Sequence, residues 1–247
     1  MIVSQLDSQF FYFTLTVPFV LLWLVVFWIS PSTRRELIRS SILFALAGVV
    51  VENLFYFHDY WRPQGISAFH IGTFVIYPEF ILFGGSLGGI AATAYQVCFR
   101  TTLIGSEKAH VKSRIVFVTA VFFATTLLAW QAGINSIFAT SLGAVAISLG
   151  VVYIRRDLLV PAFMSGILTL GVMVVSYTIF LLAIGNIEEI GQRAWLLYGS
   201  DLDIRLLGIP ITELVWGFSV GSAIGILRAF MHDAHFSPNH ISPSIER

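Results

Sequence analysis

Charged residues are scarce in this chain, and their scarcity excludes an ordinary soluble protein. Only 11% of the 247 residues are Asp, Glu, Lys or Arg, whereas 57% are hydrophobic and the mean hydropathy is +0.84. A soluble domain carries about 25% charged and about 45–50% apolar residues. We therefore expect the lipid bilayer to surround most of the chain, as in a multi-pass protein of the cell (inner) membrane.

Cysteine and clustered positive charge are also nearly missing. Cys98 is the only cysteine, which excludes an internal disulfide and a cysteine-based zinc site. The net charge is zero and the basic residues are scattered, so nothing predicts a nucleic-acid partner. The N-terminus has neither a basic stretch before its first apolar run nor a small-residue cleavage site after it, so we expect an uncleaved first helix.

What the chain does have is long apolar runs, which predict an all-α polytopic membrane protein. A spanning helix needs about 20 mostly apolar residues. Seven runs qualify, and together they make residues 1–247 one membrane domain: 10–30, 38–57, 73–99, 115–132, 135–154, 158–184 and 208–230. The fourth run connects to the fifth through residues 131–134, which predicts a tight hairpin.

The distribution of Lys and Arg predicts the orientation, because cytoplasmic loops carry the excess of positive charge. Three basic residues, Arg62, Arg193 and Arg205, fall on one side of the predicted membrane. The other side has eleven: Arg34, Arg35, Arg39, Arg100, Lys108, Lys112, Arg114, Arg155, Arg156, Arg228 and Arg247. We expect the N-terminus outside and the C-terminus in the cytoplasm.

Two of the runs resemble each other, which indicates an internal repeat. The third contains YPEFILFGGSLGG and the seventh PITELVWGFSVGSAIG, each with proline, glutamate, aromatics and spaced glycines. A 3+1+3 plan of parallel repeats accounts for this: a first unit (1–100), a linking helix (115–132), a second unit (135–230) and a cytoplasmic tail (231–247). The glycines predict close helix packing: Gly84, Gly88, Gly217, Gly221 and Gly225.

Three carboxylic acids interrupt the apolar runs. Glu52, Glu79 and Glu213 each fall toward the outer end of a predicted helix, and an acid in mid-bilayer costs about 2.5–3.5 kcal/mol. We expect them to line one outward-side chamber. The alternative is that they lie hydrated at the membrane surface or pair with Arg62 or Arg205.

An apolar chamber would give these acids a chemical use. Burial favours the neutral, protonated form of a carboxyl group, which can then act as a Brønsted acid toward an apolar substrate. Aromatic rings stabilise a passing carbocation through their quadrupoles. The 22 Phe and 6 Trp supply such rings, although packing against lipid explains most of them.

The spacing of acids and tryptophans resembles the membrane-integral lycopene cyclase domain, the non-flavin type of heterodimeric or fused enzymes. Trp61 follows Glu52 by nine residues and precedes Glu79 by eighteen, and IYPEFILF matches the family's proline–acid motif followed by aromatics. In the second unit, YGSDLDIRLLGIPITELVWGF is similar, with Glu213 as its acid. The chain departs from the family at three positions, where the family has acids: Phe80, Thr212 and Asn186.

The resemblance implies an isomerase or intramolecular lyase of carotenoid biosynthesis, which closes a ring at the end of a linear polyene without net oxidation. It implies Glu79 and Glu213 as acid and base and Glu52 as a third catalytic member. The residues expected to bind the isoprenoid substrate are Trp61, Asn53, Phe83, Trp216 and Tyr77. No cofactor and no metal are implied, and self-association into a homo-oligomer is left open.

Other functions fit parts of the pattern. A 3+1+3 transporter is the main rival, although Pro63–Gln64 does not recur in the second unit and a transporter has no reason to keep the Trp-to-acid spacing. A terpene cyclase acting on another isoprenoid would use the same chemistry. A retinal protein is excluded, because 208–230 contains no lysine for the Schiff base.

Two remaining polar clusters predict no chemistry of their own. Asp201 and Asp203 are too sparse for the magnesium motifs of a prenyltransferase, so we expect them to cap a loop. His232, His235 and His240 could ligate a metal, but a solvated tail is the expectation.

Overall fold

The seven apolar runs form seven long helices. The computed structural model describes residues 10–63, 65–105, 111–184, 191–192 and 194–238. Within these ranges seven helices are long and apolar enough to cross a membrane, which confirms the predicted spans to within a few residues. They are α1 (Phe11–Ile29), α2 (Arg34–Val51), α3 (Pro78–Phe99), α4 (Val111–Gln131), α5 (Ser136–Ile154), α6 (Leu159–Ile184) and α7 (Ile211–Met231).

Helix α2 continues beyond its regular part in a different geometry. A π-helical turn, Glu52–Tyr56, follows it, and one more α-helical turn ends at Asp59. Such π turns re-aim side chains within a helix and are frequent at functional sites. Here Glu52, Phe55 and Tyr56 are all buried.

Glycines let two helix pairs approach closely. Helix α2 packs along α3, and α6 packs along α7. A Cβ placed on Gly88 would lie 2.2 Å from the Cβ of Phe44, and one on Gly225 would lie 2.2 Å from the Oγ of Ser165. The predicted role of the glycines in close packing is therefore confirmed at these contacts.

The other helices complete a bundle around α3 and α7. Helix α1 packs on α3 and α6, and α5 packs on α7. Helices α3 and α7 contact each other in the middle, and α4 packs along α5 at the periphery. The α4–α5 connection is the short hairpin that the sequence predicts.

Among the described residues, three short antiparallel ribbons join helix ends, and the all-α expectation did not include them. They pair β1 (Phe69–Ile71) with β2 (Phe74–Ile76), β3 (Thr101–Ile104) with β6 (His235–Pro238), and β4 (Arg205–Leu206) with β5 (Ile209–Pro210). The turn of the last ribbon has positive φ at Leu207 and Gly208, as a two-residue hairpin loop requires. Strand β6 gives residues 235–238, which follow α7, a regular structure.

Asp59 anchors the α4–α5 hairpin to the end of α2. Its carboxylate accepts hydrogen bonds from Trp130 Nε1 and from the backbone N–H of Ser136, both at 3.1 Å. The Asn135 side chain donates to the Asp59 carbonyl at 2.7 Å. The free N–H of Ser136, the first residue of α5, is thus satisfied by a residue from a distant part of the chain, while the N–H of Ile137 donates to the Asn135 side chain at 3.2 Å.

Ion pairs fasten the opposite end of the bundle. The Asp233 carboxylate accepts a hydrogen bond from Arg155 at 2.7 Å and one from Arg114 at 3.3 Å. These contacts join the end of α7 to α4 and α5. Glu36 at the start of α2 pairs with Arg228 near the end of α7. Several residues used in the sequence predictions lie outside the described residues: Gln64, Lys108, Asn186, Arg193, His240 and Arg247.

Candidate functional site

A cavity of about 440 Å³ lies inside the bundle, between α2, α3, α4, α5 and α7. It reaches from Glu213 to Leu227 on α7, which is about 21 Å at 1.5 Å per helical residue. The described lining is mostly apolar, and its carboxyl groups are those of Glu52 and Glu213, which lie at one end. We call this end of the bundle the acid end.

A pair of tryptophan segments closes the cavity at the acid end. Trp61 and Trp195 form an antiparallel β-bridge. Its backbone hydrogen bonds run from the Arg62 N–H to the Ala194 carbonyl at 2.7 Å and from the Leu196 N–H to the Tyr60 carbonyl at 2.8 Å. The bridge joins two segments that the predicted repeat relates to each other.

Glu52 is held beneath this tryptophan bridge by one indole. Trp61 Nε1 donates to Glu52 Oε2 at 2.7 Å across a sequence separation of nine. Glu52 is 6% exposed, and the π-helical turn directs it and Tyr56 to the cavity. Tyr56 is fixed by a hydrogen bond of 2.8 Å to the Thr140 hydroxyl on α5. Since Trp61 occupies Oε2, Oε1 is the Glu52 oxygen available to a ligand.

Glu213 lies in the first turn of α7 and is held from two sides. The Tyr60 hydroxyl donates to Glu213 Oε1, and Trp195 Nε1 donates to the same oxygen at 3.3 Å. Burial raises the pKa of Tyr60 well above the usual range of a phenol, and the neighbouring Glu213 adds to this shift. The hydroxyl of Tyr60 therefore remains protonated and acts as a donor.

Glu79 is also buried, at 3% exposure, but it is not among the residues that line the cavity. Its Oε1 accepts the backbone N–H of Ile66 at 2.8 Å. A Cβ on Gly65 would come within 2.9 Å of Glu79 Oε2. In this structure Glu79 therefore holds the loop that follows Trp61 against the start of α3.

Of the five predicted substrate-binding residues, three line the cavity and two do not. Trp61, Phe83 and Trp216 line the cavity, and the rings of Phe83 and Trp216 stack at 6.3 Å between α3 and α7. Asn53 instead exchanges two hydrogen bonds with the Val75 backbone, at 2.8 and 2.9 Å, and so positions β2. Tyr77 does not line the cavity, but it packs edge-on against Phe80, which does.

The alternative of surface acids paired with arginine does not describe this structure. Arg205 pairs with Asp203 at 2.8 Å, and the Nε of Arg62 donates to the Phe57 carbonyl at 3.1 Å. Burial would raise the pKa of Asp203, but Arg205 and the Gly199 N–H outweigh it and lower that pKa. The bond from the Gly199 N–H to Asp203, at 2.9 Å, confirms that Asp203 caps a loop.

Sequence reasoning missed three residues that build the acid end. Tyr60, Trp195 and Tyr56 all touch the acids or the cavity wall, but none stands in an acidic motif. One signal was available for Trp195: it precedes Glu213 by eighteen residues, as Trp61 precedes Glu79. The π-helical turn has no sequence signal that we recognise.

The described part of the chain contains no group of three or more His, Cys, Asp and Glu residues placed to hold a metal ion. What the geometry defines is a multi-pass membrane protein with an apolar cavity inside its helix bundle and two carboxyl groups at one end of that cavity. Comparisons with protein-family models, curated proteins and solved structures found no match to this chain.

Proposed function

We propose that this protein is an intramembrane acid–base catalyst that closes a ring at one end of a linear polyene of the lycopene type. One observation carries the proposal: Glu52 and Glu213 lie together at one end of a long apolar cavity. A cavity of this shape suits a hydrocarbon chain that lies along α7 with its terminal group at the acids. Catalytic pockets typically combine such apolar walls with a few convergent polar groups.

The reaction needs one acid and one base and no redox partner. One carboxylic acid gives a proton to the terminal carbon–carbon double bond, and the resulting carbocation is attacked by a second double bond to close the ring. The other group, a carboxylate, removes a ring proton and leaves a double bond. Proton transfer between the two carboxyls restores the starting state, so the net change is an isomerisation.

The aromatic wall near the acids supports the cationic step. Trp61, Trp216 and Phe83 line the cavity next to Glu52 and Glu213, and aromatic faces attract a cation more strongly when it is desolvated. Tyr60 and the tryptophan bridge hold the carboxyl groups in place. We assign acid–base chemistry to the pair Glu52 and Glu213, and the holding of the acid-end loop to Glu79.

The helix packing also supports the 3+1+3 plan. The second and third helices of each unit, α2 with α3 and α6 with α7, are the pairs brought together by glycines. The first helix of each unit packs on the third, as α1 does on α3 and α5 on α7. With the excess of Lys and Arg in the cytoplasm, the acid end faces outward across the cell membrane. A single copy contains every residue that this proposal uses.

A transporter of polar solutes fits the cavity less well. Such a carrier needs polar groups along the path of its substrate, whereas the polar groups of this cavity are concentrated near the acid end. A cyclase acting on another linear isoprenoid would use the same acids, so the choice of substrate decides between these two enzymes.

Expression in bacteria that accumulate lycopene tests the proposal directly. We expect ring-containing pigments, and we expect Glu52→Gln and Glu213→Gln each to reduce their formation by about 10²–10⁴-fold, the usual contribution of a general acid or base. Unchanged lycopene beside a correctly inserted wild-type protein contradicts the lycopene assignment. The same assay with other linear isoprenoids then tests the second enzyme.

A further inference from the structure

The wall of the cavity between α2 and α4 differs from its other walls. Both helices contribute lining residues, but α2 packs along α3 and α4 packs along α5. In the described part of the chain no extensive helix packing joins α2 to α4. Ring contacts between them lie toward the acid end, where Phe55 meets Phe123 at 6.5 Å and Trp130 at 5.5 Å.

Two lining residues in this wall are exposed. Val50 on α2 is 37% exposed, and Thr119 on α4 is exposed as well. Val50 lies two residues before Glu52 and nine before Asp59, and Thr119 lies twelve before Gln131. They are therefore about 14 and about 18 Å from the helix ends on this side of the bundle. In a hydrocarbon core of about 30 Å, that is near the middle of the bilayer.

Contacts between described residues cross both ends of the cavity. The tryptophan bridge covers the acid end, with backbone bonds on both sides of Trp61 and Trp195. At the opposite end the ion pair of Glu36 with Arg228 joins α2 to α7 just beyond Leu227, the last lining residue on α7. Entry from water at either end would require these contacts to break.

We propose that the cavity opens sideways into the bilayer between α2 and α4, and that a linear hydrocarbon dissolved in the membrane enters there. The opening is framed by Val50 and Thr119. The chain then lies along α7, end-on to Glu52 and Glu213. The reaction of this hydrocarbon at Glu52 and Glu213 rests on the proposed function, whereas its entry and binding do not. The structure thus selects substrates by solubility in lipid and by a narrow end group.

Photolabelling in nanodiscs tests the opening without relying on catalysis. The probe is a long-chain alkane with a terminal diazirine, added to the lipid, and adducts are located by mass spectrometry. We expect adducts on the cavity residues Trp216 and Val220 in the wild type. Thr119→Trp should abolish these adducts, because the indole fills the opening.

Val116→Trp is the matched control. Val116 lies one turn away on the same helix, is 67% exposed and does not line the cavity, so this variant should keep the adducts. Wild-type labelling of Trp216 in Thr119→Trp, an equal loss in Val116→Trp, or no cavity adducts in the wild type would each overturn the proposal.

If Thr119→Trp does not fold, a removable cross-link across the proposed opening provides a second test. In a Cys98→Ser background, Val50→Cys and Thr119→Cys are bridged by a short bis-methanethiosulfonate, which forms one disulfide with each cysteine and releases two methanesulfinate ions. We expect cavity labelling to disappear after bridging and to return after reduction, and labelling that persists in the bridged protein contradicts lateral entry. Cavity adducts without cyclised pigment would refute only the catalytic assignment, whereas cyclisation by the bridged protein would refute only the opening.

Discussion

At the scale of single residues, the two cavity acids have matched but unequal supports. Trp61 gives Glu52 a hydrogen bond of 2.7 Å, while Trp195 reaches Glu213 at 3.3 Å and Tyr60 assists it. Both indoles belong to the tryptophan bridge. A change in one tryptophan therefore alters the position of one acid and the closure of the acid end together.

We predict that Trp61→Phe lowers the free energy of unfolding by about 1–3 kcal/mol, since it leaves a buried Glu52 oxygen without its donor. Trp195→Phe should cost less, because its bond is longer and Tyr60 still serves Glu213. Thermal or denaturant unfolding in mild detergent measures both. Trp28→Phe is the control, because Trp28 is 70% exposed; an equal loss in all three variants would contradict the role of the bridge.

For Glu79, the role expected from the sequence differs from the role that its position in the structure supports. The resemblance implies that Glu79 transfers a proton, whereas its carboxylate accepts the Ile66 N–H outside the cavity lining. A glutamine at this position keeps an acceptor oxygen. We therefore expect Glu79→Gln to retain most cyclisation in the pigment assay, and Glu79→Ala to lose more. Activity as low as that of Glu213→Gln would return Glu79 to the catalytic pair.

At the scale of helices, the positions of the membrane spans were predictable from the sequence, but the contacts that hold the ends of the helices were not. Apolar runs of about 20 residues and the glycine spacing are local patterns, so the sequence alone predicts α1 to α7 and their close packing. The anchoring of α5 by Asp59 joins residues 77 positions apart. The cavity likewise depends on which pairs of helices do not pack against each other. The residue pattern of a single helix does not specify which other helices it contacts.

The Asp59 anchor leads to a prediction about one helix hairpin. Asp59→Ala removes the acceptor for Trp130 Nε1 and for the first N–H of α5. We expect a loss of about 1–2 kcal/mol of stability, in the range of a lost N-cap. Unfolding in detergent measures it, and Asp201→Ala, on an exposed turn, is the matched control. A loss no larger than that of the control would show that the hairpin is held by helix packing alone.

At the scale of the whole molecule, the two units of the proposed 3+1+3 plan contribute the same residue types to the acid end, but from different positions. Each half contributes one tryptophan to the bridge and one acid to the cavity. The acids come from non-equivalent places: Glu52 from the end of the second helix of its unit, and Glu213 from the start of the third. The proposed acid–base step uses this offset, because it brings two carboxyl groups to one end of the cavity, which a strictly symmetric pair of sites would not do.

The proposed orientation of the whole molecule makes a prediction that cysteine labelling can test. In a Cys98→Ser background, a cysteine at Gln64, between the second and third spans, should react with a membrane-impermeant maleimide added to intact cells. A cysteine at Lys108, in the basic loop before α4, should react only after the membrane is opened, because the loops rich in Lys and Arg remain in the cytoplasm. Reaction at position 108 but not at 64 in intact cells would invert the protein, and the acid end would then face the cytoplasm.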